Sequence, residues 1–161
     1  MLIKLIRKTF FLTFILVFIF KPLPNCAKDY TQFLFEKALQ ESKQGDFISA
    51  KEDWDLFLND NPNDAAALSN RGNILLALGD AQAAISDQTR AIELSNDDLD
   101  PYLNRGIAEE SLKLWDAASK DYNWVLDKNP DNVSALYNLG NVMGSMGNWL
   151  EAKKLFSKAA S

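Results

Sequence analysis

Small, apolar and large side chains recur along this chain with a period of 34 residues, and the pattern repeats four times from Thr31 onward. Each unit has a small residue at its eighth position, an alanine at its twentieth and a larger side chain at its twenty-fourth. These positions hold Ala38, Gly72, Gly106 and Gly140; Ala50, Ala84, Ala118 and Ala152; and Trp54, Gln88, Tyr122 and Phe156. So regular a period predicts that each unit packs mainly on its neighbours, in an all-α solenoid of helix pairs.

The polar positions between the periodic segments predict where each helix ends. Glycine followed by Asp or Asn occurs in mid-unit at Gly45-Asp46, Gly79-Asp80 and Gly147-Asn148. Glycine supplies the left-handed residue that ends one helix, and the Asp or Asn caps the next. Lys113-Leu114 breaks this pattern, so we expect a tighter or more strained turn there. The predicted units are 31–64, 65–98, 99–132 and an incomplete 133–161.

The periodic residues resemble the tetratricopeptide repeat, whose helix–turn–helix consensus combines a Leu-Gly pair, an A-x3-F pair and a proline. The fourth unit has Leu139-Gly140 followed by Ala152-x3-Phe156, and the third has Ala118-x3-Tyr122 and then Pro130. The resemblance covers residues 31–161. It implies a helical solenoid that acts as a surface for binding proteins.

Residues 1–27 have a different character and predict a signal peptide or an N-terminal anchor. Basic residues at Lys4, Arg7 and Lys8 precede an uncharged run from Thr9 to Phe20, and Ala27 suits a cleavage point. This run would span about 18 Å as a helix, against a hydrocarbon core of roughly 30 Å. A cleaved signal, with export to a periplasm or an organelle lumen, is therefore favoured over a membrane anchor that faces the same compartment. Cys26 would be lost with the signal or, in a lipoprotein reading, become lipidated.

Charge and composition exclude several classes of function. Loss of residues 1–27 would leave 13 of the 17 basic residues against 22 acidic ones, which disfavours nucleic-acid binding. The chain has no histidine and one cysteine, so it lacks the common nucleophile pairs and the His/Cys metal sites. We expect no enzyme activity, no cofactor, no metal, and membrane contact only through residues 1–27.

The resemblance implies that unit positions five, six and nine of each first helix face a binding groove. The candidate protein-binding residues are Asn70, Asn73, Leu103, Asn104, Tyr137, Asn138 and Asn141. A row of side-chain amides suits an extended peptide because each amide both donates and accepts hydrogen bonds. The alternative is that these amides are ordinary surface residues of soluble helices.

The resemblance also offers a more specific binding mode, which the residues disfavour. Chaperone-adaptor members of the family bind an acidic C-terminal peptide with two asparagines and several cations. Asn73 and Asn104 lie at the asparagine positions, but Ser69, Ser134 and Asn138 occupy the cation positions. Arg71 and Arg105, at position seven, are expected to be structural and to bond a helix end or a carboxylate.

The last predicted helix, Trp149–Ala160, carries apolar residues that a following helix would ordinarily cover. Trp149, Leu155 and Phe156 are therefore predicted to form an interface for a second copy or a partner. The sequence predicts an exported adaptor or assembly factor that holds a segment of a partner protein in the concave face. The alternative is a membrane-tethered structural subunit of a protein complex.

Overall fold

A computed structural model describes residues 24–161, and the segment Thr9–Phe20 therefore lies outside the described residues. Leu34–Ser161 form one compact unit, and the residues before Leu34 belong to a separate unit. The described residues form eight α-helices and no strand: α1 Pro24–Gln44, α2 Phe47–Asp60, α3 Ala65–Ala77, α4 Ala81–Leu94, α5 Leu99–Ser111, α6 Trp115–Lys128, α7 Val133–Ser145 and α8 Trp149–Ala159. The prediction of an all-α solenoid is confirmed. None of these described helices is both long enough and apolar enough to cross a membrane.

The turns within the units follow the glycine pattern. Gly45, Gly79 and Gly147 have φ values of 79°, 88° and 84°, in the left-handed region that favours glycine. Lys113 takes the same conformation with φ 59°, so the strain predicted for this turn is confirmed. The expectation that Asn148 caps the last helix is wrong, because its side chain makes no capping hydrogen bond.

Contacts between helices define an inner face of the compact unit. Among the helices from Phe47 onward, each helix packs on the next in sequence. The first helices of successive units also contact one another, as α3 does with α5 and α5 with α7, whereas the second helices α2, α4, α6 and α8 do not. Since the first helices of successive units lie closer together than the second helices do, the first helices line the inner side of the curved helix stack. We call this side the first-helix face.

Glycine at position eight permits close packing of the two helices in a unit. A Cβ atom on Gly106 would lie 2.6 Å from Cε1 of Tyr122, and one on Gly72 would lie 2.7 Å from Nε2 of Gln88. The side chain nearest to each of these glycines is therefore the large residue at position twenty-four of the same unit. Helical side chains slant toward their own N-terminus, so the residue at position twenty-four covers the glycine.

A ladder of ion pairs joins the two helices of each of the first three units. The cation at position seven bonds the aspartate at position twenty-three, and Arg105 donates from Nε and Nη2 to Asp121 over 2.7 and 2.8 Å. Arg71 bonds Asp87 at the same two distances. The third pair of the ladder is Lys37 with Asp53. Asp53, Asp87 and Asp121 are all buried, so this pairing compensates for their loss of hydration.

The two arginines also connect adjacent units. Nη1 of Arg71 donates to Asp55 of the first unit over 2.9 Å, and Nη1 of Arg105 donates to the hydroxyl of Thr89 over 3.1 Å. Each guanidinium therefore bridges its own second helix and that of the preceding unit. The expectation that these arginines bond a carboxylate is confirmed.

The fourth unit replaces the ion pair with two leucines. Leu139 and Leu155 occupy the positions of Arg105 and Asp121, and Leu155 packs against the cluster that contains Leu139. This natural exchange shows that an apolar pair fits the same geometry. Removal of one charge of a buried pair is costly, whereas an apolar replacement of both is often tolerated.

We therefore expect Asp121→Leu alone to lower the free energy of unfolding by about 3 kcal/mol, because it leaves Arg105 half-buried without its carboxylate. The double variant Arg105→Leu/Asp121→Leu should regain most of that loss. Urea unfolding followed by circular dichroism measures both. Glu151→Leu, which removes an exposed pair with Lys154, is the control and should cost less than about 1 kcal/mol. A double variant no more stable than Asp121→Leu alone would contradict the view that an apolar pair can replace this ion pair.

Glu109 is a buried carboxyl without full hydrogen bonding. Its side chain lies near the Arg105–Asp121 pair, and its Oε2 atom has no hydrogen-bond partner within residues 24–161. Burial, and then the negative charge of Asp121, raise the pKa of Glu109 from 4.5 to about 7, although Arg105 and Lys120 act in the opposite direction. The folded protein therefore holds this proton more tightly than the unfolded chain does.

Stability should consequently fall as the pH rises from about 4.5 to 7, because the folded state then has to ionise Glu109 in a buried site. Glu109→Gln should remove this part of the pH dependence and stabilise the protein at pH 8, by at most about 3 kcal/mol. Melting temperatures from pH 4 to pH 8 measure the effect. The exposed substitution Glu52→Gln is the control, and an unchanged profile for Glu109→Gln would refute the assignment.

Candidate protein-binding surface

Three of the predicted asparagines form a regular row on the first-helix face. Asn70, Asn104 and Asn138 lie at the same position of α3, α5 and α7, which contact one another in that order. Each side chain is half-buried, and within residues 24–161 none of the three side chains makes a hydrogen bond. Half-buried amides without a partner retain donors and acceptors that a ligand can satisfy.

Asn73 differs from these three because part of its hydrogen-bonding capacity is already used. Its Oδ1 atom accepts a hydrogen bond of 3.0 Å from Nε2 of Gln88, which also donates to the carbonyl of Ser69 over 2.9 Å. Gln88 stands where the neighbouring units have an aromatic residue and is fully buried. A glutamine at this position, opposite an asparagine at position nine, was the sequence signal for this contact.

An apolar pocket adjoins the C-terminal end of the asparagine row. It has a volume of about 530 Å³ and brings together Leu103, Tyr137 and Asn138, all predicted site residues. The other residues that line it are Ile107, Val133, Ser134, Phe156, Ala159 and Ala160. Phe156 was assigned to a different surface, yet its ring lies 5.5 Å from that of Tyr137. Its position one turn after Ala152, facing Gly140, could have indicated this.

The pocket and the asparagine row offer hydrogen bonding and apolar contact without positive charge. No Lys or Arg lines the pocket, and Ser134 and Asn138 occupy the positions at which the resemblance implies cations. No group of three or more potential metal-ligating side chains occurs in the described part of the chain. The surface therefore complements a ligand that is neutral and partly apolar.

The remaining predicted residues lie apart from this row. Asn141 is half-buried and lines a second groove together with Trp149. Trp149 and Leu150 are 72% and 73% exposed on α8. Leu155 differs from the expectation that it faces outward, because it is half-buried and packs against the core cluster around Tyr122. Position twenty-three points toward the first helix of its unit in every repeat, and this explains the difference.

Trp124 lies on α6, one of the second helices, and therefore off the first-helix face. Its ring stacks on that of Tyr102 with a centroid distance of 3.6 Å and an interplanar angle of 14°. The guanidinium of Arg105 lies 5.7 Å from the centroid of the Tyr102 ring, and Nζ of Lys128 lies 5.6 Å from that of Trp124. This cluster joins α5 to α6, and both rings also line a pocket of about 610 Å³.

A family model described as tetratricopeptide repeat matches residues 35–101 and 103–160. The chain therefore belongs to the tetratricopeptide repeat family. Tetratricopeptide repeat protein 6 of Homo sapiens is 28% identical over 116 residues, which cover 72% of this chain and 22% of that protein. RNA polymerase II-associated protein 3 of Mus musculus is 33% identical over 102 residues, which cover 63% of this chain and 16% of that protein. The chain thus spans about a fifth of the length of these relatives.

Solved structures share the same fold. A crystal structure of MamA has a TM-score of 0.76 and 25% sequence identity, over 81% of this chain and 76% of that chain. The first TPR domain of Spaghetti (RPAP3), bound to the HSP90 peptide SRMEEVD, has a TM-score of 0.70 and 26% identity. That similarity covers 73% of this chain and 93% of the other.

Proposed function

We propose that this protein is a binding adaptor that holds an extended segment of a partner protein on its first-helix face. The observation that carries the proposal is the row formed by Asn70, Asn104 and Asn138, whose half-buried amides have no side-chain hydrogen bond within residues 24–161. An extended peptide has unpaired backbone N–H and C=O groups along its length. Side-chain amides can bond both kinds of group.

The apolar pocket beside Asn138 supplies the second element of recognition. Leu103, Ile107, Tyr137 and Phe156 surround a space of about 530 Å³, which is large enough for an aliphatic or aromatic side chain. Burial of such a side chain would contribute about 1.5–3 kcal/mol. The proposed ligand is therefore a neutral segment with an apolar anchor residue, and the adaptor itself has no catalytic role.

The RPAP3 domain that binds SRMEEVD supports peptide binding by this fold and also sharpens the proposal. That peptide has three acidic residues and ends in a carboxylate. In this chain Ser69, Ser134 and Asn138 stand at the positions where the resemblance implies cations. Without charge-assisted hydrogen bonds, an acidic C-terminus would gain little binding free energy on the first-helix face. We therefore propose a ligand class different from that of the RPAP3 domain.

Export remains part of the proposal and rests on residues 1–27 alone. The basic end, the uncharged run and Ala27 support a cleaved signal, and the alternative is a membrane-tethered subunit that retains this segment. The mass of the native protein discriminates between them. Loss of residues 1–27 supports export as a cleaved protein, whereas an intact or lipid-bearing N-terminus supports the tethered subunit.

Replacement of Asn70, Asn104 and Asn138 by alanine should leave the helix content unchanged and weaken partner capture by at least about tenfold, because each lost amide removes about 0.5–1.5 kcal/mol. Quantitative pull-down from the native compartment measures capture, and circular dichroism measures helix content. The control is a triple alanine variant at the exposed Asn59, Asn96 and Asn123, which lie off the first-helix face. Undiminished capture by the first variant would refute the proposed surface.

A further inference from the structure

A second groove lies between α7 and α8, on the C-terminal side of the fourth unit. We call it the α7–α8 groove. It has a volume of about 470 Å³ and is lined by Gly140, Asn141, Gly144, Ser145, Trp149, Ala152 and Phe156. Four of its residues are small, so its floor is close to the helix backbones, and two aromatic rings form its walls.

The repeat itself indicates what this surface binds. Ala118 and Tyr122 precede Ala152 and Phe156 by one period, and both are fully buried. They are buried by α7, whose Leu139 and Val142 belong to the same cluster. Equivalent grooves therefore receive an α-helix within the chain.

Residues that line the α7–α8 groove are more exposed than the residues at the same positions of the preceding units. At position twenty-four, Trp54, Gln88 and Tyr122 are at most 1% exposed, whereas Phe156 is 36% exposed. Trp149 is 72% exposed, while Trp115, one period earlier, is half-buried. Apolar side chains with this exposure gain free energy when a helix covers them.

The cation Lys153, beside the groove, indicates which charge a helix bound there should carry. Lys153 lies one helical turn after Trp149 and thus on the same side of α8. Lys154 pairs with Glu151 at 3.0 Å and Lys158 with Asp131 at 3.3 Å, whereas Lys153 has no ion pair within the described residues. A carboxylate on the incoming helix would complement this cation.

The same charge argues against a second copy as the occupant. A two-fold symmetric contact through this face would bring the groove of one copy, with its Lys153, against the groove of the other. The first helix of the chain does not fit the groove either. It has the exposed Gln40 at the position where α3 and α7 bury Ile74 and Val142.

We propose that the α7–α8 groove binds an acidic amphipathic helix of a different protein. The helix has aliphatic side chains at positions i, i+3 and i+4, as α7 has in Leu139, Val142 and Met143, and Asp or Glu beside them. Contact with Trp149, Ala152 and Phe156 supplies the apolar part of binding, and Lys153 selects the acidic partner. This site shares Phe156 with the apolar pocket beside Asn138, but its other lining residues are different, and it does not depend on the function proposed for the first-helix face.

Two synthetic peptides with the sequence of residues 133–146 test the proposal. Both keep Leu136, Leu139, Val142 and Met143. One has Glu, the other Lys, in place of Ser134, Tyr137, Asn141 and Ser145. Fluorescence anisotropy of the labelled peptides with the full chain measures affinity. We expect the Glu peptide to bind at least about tenfold more tightly than the Lys peptide.

Two matched pairs of variants locate the binding site. Trp149→Ala should weaken binding of the Glu peptide by about tenfold, whereas the equally exposed Leu150→Ala, which does not line the groove, should not. Lys153→Glu should remove the preference for the Glu peptide, whereas Lys154→Glu should largely retain it.

Three results would overturn the proposal. The first is that neither peptide binds, and the second is that both bind equally well. The third is self-association in analytical ultracentrifugation that Trp149→Ala abolishes, since a second copy would then occupy the groove.

Discussion

The paired charges at positions seven and twenty-three connect the two helices of each of the first three units, and in the second and third units they also connect each unit to the one before it. Each guanidinium of Arg71 and Arg105 bonds an aspartate of its own unit and a side chain of the preceding unit. The planar fork of arginine fixes direction as well as distance. Arginine at position seven of the second and third units therefore takes part both in the pairing of helices within a unit and in the stacking of units.

Close packing at position eight complements this polar ladder. Gly72, Gly106 and Gly140 leave room for a large side chain from the second helix, and a Cβ at any of them would lie within 2.7 Å of that side chain. The large side chain is Gln88, Tyr122 or Phe156, and its chemistry sets the local character of the surface. Gln88 uses its amide to hold Asn73, whereas Phe156 extends to two grooves.

The fourth unit departs from the ladder, and its surface properties follow from that departure. Leu139 and Leu155 replace the ion pair, which makes the interior of this unit wholly apolar. Phe156 and Trp149 then present apolar area next to the lysines of α8. The chain thus has two surfaces of distinct chemistry, a row of neutral amides on the first-helix face and an aromatic groove, next to Lys153, in its fourth unit.

The sequence alone determined the family, the helix pairs and the turns, because these follow from local residue types repeated at a fixed spacing. It also determined that Asn70, Asn104 and Asn138 share one face, since equal positions in a regular repeat are structurally equivalent. Only the tertiary structure decided which side chains these groups meet. Gln88 engages Asn73, Leu155 turns inward, and Phe156 joins Tyr137. Such contacts depend on side-chain direction and length across neighbouring helices, and a one-dimensional period does not specify them.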